Sequence, residues 1–172
     1  MPRTELFEEI MLPHLDAAYN LARWLTRNDQ DARDVVQEAY LRAFRFFDGY
    51  RGGDGKAWLL EIVRNTFHTW HRRQARGAGS VPFDEAAHSK EPAAAGAEEV
   101  IAGQEQMAIL QGCIEALPTE FREVLVLREL EELSYREITD VTGLAIGTVM
   151  SRLSRARKRL EDCVARRKEA AG

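Results

Sequence analysis

The sequence predicts an all-α protein built as two small helical modules joined by a flexible linker. Apolar residues recur at helical spacing over both halves of the 172 residues, whereas a strand would need sustained apolar-polar alternation between turn signals, which no segment shows. Between the halves, over 77–103, the period vanishes. Gly, Ala, Pro and Ser take over there, with Asp84, Glu85, Glu91, Glu98 and Glu99 set against the single Lys90. The expected organisation is therefore a first module over 1–76, an acidic linker over 77–103 whose tail turns helical near Glu98, and a second module over 104–172.

In the first module an apolar stripe starts at Leu6 and Ile10, and Pro13 restarts it as the first residue of a new helix. Ala18, Leu21, Ala22 and Leu25 carry the stripe to a break at Arg27 and Asn28, where Asn28 or Asp29 can cap the next helix. On a helical wheel that next helix sets Val36, Ala39, Tyr40, Ala43 and Phe47 on one face and Asp34, Gln37, Glu38, Leu41 and Arg45 on the other. Leu41 is thus an apolar residue on a charged face. A glycine-rich turn over 48–55 leads to a third helix from about Lys56 to Arg76. Leu59, Ile62, Val63, Thr66 and Trp70 point inward there, and Arg64, Asn65, His68, His71 and Arg72 gather on the other side.

The second module has sharper punctuation. Pro118 opens a helix, and Ser134 with Glu137 forms a capping box in which each side chain satisfies a backbone donor at the start of a short helix. That helix ends at Gly143, and after a three-residue turn a long basic helix begins near Ile146. This is the spacing of a helix-turn-helix. In the last helix Val149, Leu153, Ala156, Leu160 and Val164 share an inward face. The opposite face carries Thr148, Ser151, Ser154, Arg155 and Lys158, with Arg152 among the cations that crowd this end. Short hydroxyls near the start and long cations beyond them suit close approach to base edges together with phosphate neutralisation.

The net charge of −4 understates this asymmetry, because Arg64, Arg72, Arg73 and Arg76 close the first module while Arg152, Arg155, Arg157, Lys158, Arg159, Arg166, Arg167 and Lys168 crowd the last helix. Cys113 and Cys163 lie far apart in the chain without CxxC or histidine spacing, so they read as core or surface thiols rather than as a disulfide or a zinc site. His68 and His71 have no third ligand nearby, and neither a metal nor another cofactor is expected. No nucleophile-base constellation, glycine-rich phosphate loop or paired carboxylate site emerges, so no enzyme is expected. No apolar stretch approaches a membrane span, and glutamates interrupt the N-terminus, which places the chain in the cytoplasm.

Three segments carry a family resemblance: DARDVVQEAYLRAF (31–44), KAWLLEIVRNTFHTWHRR (56–73) and LPTEFREVLVLRELEELSYREITDVTGLAIGTVMSRLSRARKRL (117–160). They resemble region 2 and region 4 of the extracytoplasmic-function (ECF) sigma factors of the sigma-70 family, in the right order and with no region 3 domain between them. The resemblance implies an alternative sigma factor that binds core RNA polymerase and promoter DNA, acts in a stress or envelope response and is controlled by an anti-sigma factor.

By the same resemblance Asp34, Gln37, Glu38, Leu41 and Arg45 would dock on the polymerase clamp. Tyr50, Lys56, Arg64, Asn65, His68 and Arg72 would hold the melted −10 element, and Thr148, Met150, Ser151, Arg152, Ser154, Arg155 and Lys158 would meet the −35 element. The acidic linker would thread toward the active-site cleft. Met150 stands where a lysine or arginine is usual, and Ala145 where a proline often precedes the recognition helix. The rival readings are a stand-alone helix-turn-helix regulator, which would put a βα receiver before its DNA-binding module, and an adaptor, which would not need the basic last helix.

Overall fold

A computed structural model describes residues 2–77 and 98–172. The central stretch of the acidic segment, with the cleft-threading role expected of it, lies outside the described residues. The first module consists of α1 (Arg3–Met11), α2 (Leu15–Thr26), α3 (Asp29–Arg45) and α4 (Gly55–Gly77), with short 3₁₀ turns at Leu12–His14 and Phe47–Gly49. The second consists of α5 (Glu98–Ala116), α6 (Thr119–Leu125) continued by a π turn over Val126–Leu130, α7 (Tyr135–Thr142) and α8 (Ile146–Ala171). No strand occurs among the described residues.

Small residues set how closely the first module's helices approach. Ala18 and Ala22 of α2 and Ala32, Ala39 and Ala43 of α3 are fully buried, and against them pack Leu59, Leu60, Val63 and Phe67 of α4. Instead of Leu6, which is exposed, Phe7 and Met11 point inward from α1, and the Phe7 ring meets those of Phe44 and Phe47 edge-on at 5.2 Å.

Pro13 sits inside the 3₁₀ turn rather than opening α2. There the Leu15 amide bonds back to the Leu12 carbonyl, and the Met11 carbonyl accepts the Tyr40 hydroxyl at 2.8 Å instead. Burial pushes the Tyr40 phenol up to about 12. Arg27 ends α2 in the left-handed region at φ 60, and Asn28 caps α3 by accepting the Asp31 amide at 2.9 Å.

Ile114, Leu117, Phe121, Val124, Leu127, Ile138, Val141, Val149, Leu153 and Ala156 form the second module's core. The capping box is present: the Ser134 hydroxyl accepts from the Glu137 amide at 3.1 Å, and the Glu137 carboxylate accepts from the Ser134 amide at 2.8 Å. Gly143 closes α7 at φ 75, and α8 begins three residues later at Ile146.

The cysteines correct the sequence reading: Cys113 of α5 and Cys163 of α8 form a disulfide, with their Cα atoms 5.8 Å apart. α5 packs along α8, and that tertiary pairing is invisible in a motif search confined to short spacings.

The two modules share one continuous apolar core, with α2 against α6 and α4 against α7. Arg122, fully buried, stitches them together, its guanidinium donating to the carbonyls of Leu117 and Glu115 in its own module and of Leu25, at 3.3 Å, in the other. That last carbonyl lies in the final turn of α2, where a cation is favoured.

Two stability effects are expected. Ser134→Ala removes one cap and lowers stability by about 1 kcal/mol in urea denaturation. Reducing the disulfide, whose cysteines are 50 residues apart, relaxes the unfolded chain and lowers the stability of the second module by about 4 kcal/mol on the loop-entropy estimate.

Candidate nucleic-acid interface

The helix-turn-helix places the last helix as its sequence pattern anticipates. Val149, Leu153 and Ala156 are buried against α6 and α7, while Met150, Ser151, Ser154, Arg155 and Lys158 are exposed and Thr148 and Arg152 half-buried. Gly147, Thr148, Ser151, Arg152 and Arg155 line a shallow concavity together with Glu120 and Phe121 of α6. Lys158 is paired with Asp162 at 3.1 Å one turn on, an exposed contact that leaves the ammonium available. Leu160 and Val164, expected on the inward face, are half-buried beside Leu110 of α5 and form a partly open apolar groove.

The charged face of α3 is also where the wheel put it. Asp34, Gln37, Leu41 and Arg45 are exposed, and Glu38 is half-buried between Arg42 at 3.0 Å and Arg73 at 3.6 Å. Leu41 leaves 62% of its surface in solvent. None of the described residues covers it, so it is an apolar residue on a charged surface.

Around α4 the expected −10 residues divide into two groups. Asn65 and Arg72 are exposed, as expected of a helix face that tracks a strand. Tyr50 is half-buried, stacked on Phe47 at 5.8 Å and against Trp58 at 5.2 Å, and its hydroxyl donates to the Gly53 carbonyl at 2.9 Å. Of the loop's rings Phe47 belongs to the core and Phe46 stands exposed, while Gly52 and Gly53 turn the chain at φ 83 and 84.

Lys56, Arg64 and His68 are half-buried against the other module. The Arg64 guanidinium donates to the Glu123 carboxylate, and His68 Nε2 lies 3.5 Å from the same group. Lys56 Nζ donates to the Glu131 carbonyl at 2.9 Å and sits 3.2 Å from its carboxylate.

Glu123 and Glu131 were not among the residues the sequence reading singled out. Glu123 belongs to a run from Phe121 to Leu127 that is buried throughout, and a carboxylate in such a run is costly unless paired. That acid inside an apolar stripe, beside the equally buried Arg122, was the available signal. Burial works to raise the Glu123 carboxyl, but the neighbouring His68 and Arg64 outweigh it and hold the group below the usual carboxylate range. Glu131 reaches Lys56 because the π turn widens the backbone, its amide bonding back to the Val126 carbonyl at 3.0 Å.

Comparison with known proteins agrees with this geometry. Residues 10–77 match the family Sigma-70 region 2 and residues 107–160 the family Sigma-70, region 4. The chain is 36% identical over 162 residues to the ECF RNA polymerase sigma factor SigE of Mycolicibacterium smegmatis, covering 93% of this chain and 62% of that protein. It is also 36% identical over 142 residues to the ECF RNA polymerase sigma-E factor of Escherichia coli K12, covering 78% of this chain and 74% of that one.

Among solved structures, the sigma factor RpoE in complex with the anti-sigma factor NepR from Bartonella quintana superposes with a TM-score of 0.75 at 28% identity, over 92% of this chain and 96% of that one. CnrH in complex with the cytosolic domain of CnrY superposes with a TM-score of 0.64 at 25% identity, over 94% and 89%. The chain belongs to the ECF sigma factors of the sigma-70 family. That family is one of transcription initiation factors and not an enzyme class, and no helix among the described residues is long and apolar enough to cross a membrane.

Proposed function

We propose that this chain binds core RNA polymerase in the cytoplasm and directs transcription initiation at a particular set of promoters, in a stress or envelope response. The observation that carries the reading is a pair of faces in one chain that no other described helix covers: the charged face of α3 with Leu41 at its centre, and the hydroxyl and cation face of α8 behind a capped helix-turn-helix.

Asp34, Gln37, Glu38, Leu41 and Arg45 dock on polymerase, with Leu41 as the apolar anchor within a charged rim. Asn65 and Arg72, joined by Tyr50, Lys56, Arg64 and His68, hold the unstacked −10 strand, where cations track phosphates and rings stack on bases. Thr148, Met150, Ser151, Arg152, Ser154, Arg155 and Lys158 read the −35 duplex. Residues 1–76 act as the polymerase and −10 module and residues 104–172 as the −35 module. An anti-sigma factor holds the free chain inactive. Support comes from the solved structure of the sigma factor RpoE in complex with the anti-sigma factor NepR, which resembles this chain over 92% of its length.

Two substitutions test the assignment separately. Leu41→Glu places a second charge where an anchor is needed and weakens co-elution with core polymerase in gel filtration, without changing the fold by circular dichroism. Normal co-elution of Leu41→Glu would remove polymerase from that face. Arg155→Ala leaves co-elution intact and weakens binding of the reconstituted holoenzyme to promoter fragments about tenfold, the loss of one good base or phosphate contact.

A further inference from the structure

The cations of α4 that the −10 strand would use are already occupied by carboxylates of the other module. Arg64 and His68 converge on Glu123, and Lys56 holds Glu131 through both its carboxylate and its carbonyl. Both glutamates are buried at this contact, at 1% and 8% exposure. A carboxylate and a backbone phosphate present the same thing to a guanidinium, a pair of anionic oxygens, so Arg64 cannot serve a DNA strand while Glu123 holds it.

Geometry makes the exclusion stricter. The −10 and −35 elements lie about 25 base pairs apart, roughly 85 Å at 3.4 Å per base pair. With α4 packed on α7 and α2 on α6, the two modules cannot reach both elements at once.

The contact also carries like charges that oppose it. Glu61 of α4 faces Asp140 of α7, and burial together with that neighbouring charge raises the Glu61 carboxyl despite Arg64 nearby.

We propose that Glu123 and Glu131 are an internal competitor for single-stranded −10 DNA: in the free chain they fill the strand-binding cations of α4, and separation of the modules on polymerase uncovers them. This rests on the reading of α4 as the −10 surface. The exposed Asn65 and Arg72 stand outside the clasp and give that reading its own test.

The experiment measures binding of the full-length chain to a short fluorescent single-stranded DNA by anisotropy. Glu123→Gln/Glu131→Gln keeps the side-chain sizes and removes the competing charges. If the closed form outweighs the open one tenfold or more, the variant binds about tenfold more tightly than the wild type. Glu105→Gln/Glu169→Gln makes the same change in net charge at exposed positions and is expected to leave binding unchanged.

Equal binding by the two double variants overturns the competitor. Should Glu123→Gln/Glu131→Gln not fold, Glu131→Gln alone is expected to shift binding in the same direction, and no shift overturns the proposal equally. The −10 reading is checked apart from this, by open-complex formation with Asn65→Ala/Arg72→Ala in the reconstituted holoenzyme. Undiminished opening there would remove the −10 surface, and the competitor with it.

Discussion

A single buried carboxylate organises the relation between the two halves of this chain. Glu123 sits in the middle of an apolar run, and a charge there would be prohibitive without partners. Its partners come from the first module, in Arg64 and His68 of α4. The requirement to satisfy that charge brings α4 against the second module and fixes which of its faces is turned inward. Arg122, one residue earlier and equally buried, does the same toward α2 through the Leu25 carbonyl. An Arg and a Glu adjacent in sequence thus point to two different helices of the other module, and together they define how the modules meet.

The consequence for function lies in which groups the contact uses. It leaves the exposed faces of α3 and α8 free, including Leu41 and the hydroxyls of the recognition helix, and takes up Lys56, Arg64 and His68. On the proposed assignment, the surfaces for polymerase and duplex DNA are therefore available in the closed chain, while part of the surface for a melted strand is not. That order suits a factor that should find polymerase before it opens DNA. Around the shared apolar core the interface carries buried opposite charges and, at Glu61 and Asp140, neighbouring like charges.

Much of this was legible in the sequence because it depends on local rules. The capping box at Ser134, the left-handed Gly143, the helical periods of α3 and α8 and the exposed Leu41 follow from residues within a few turns of one another, and each is found where the pattern puts it. The departures share a different cause, since each is set by tertiary contact. The Cys113–Cys163 disulfide depends on α5 lying along α8, Phe7 and Met11 replace Leu6 because of where α1 meets Phe44 and Phe47, and Arg64 and His68 turn toward Glu123 because of how the modules meet. A helical wheel can place Arg64 and His68 away from their own module's core, but it cannot say whether water, DNA or another helix receives them.

The most direct measurement is small-angle scattering of the free chain at neutral pH. A chain of this length packed as one body has a radius of gyration of about 16 Å, and the account predicts a value near that, within a few ångströms for the connecting residues. It also predicts that Glu123→Gln/Glu131→Gln increases the value. A wild-type radius already at the expanded value of that variant would show two modules tumbling apart, and would contradict the claim that the buried carboxylate holds them together.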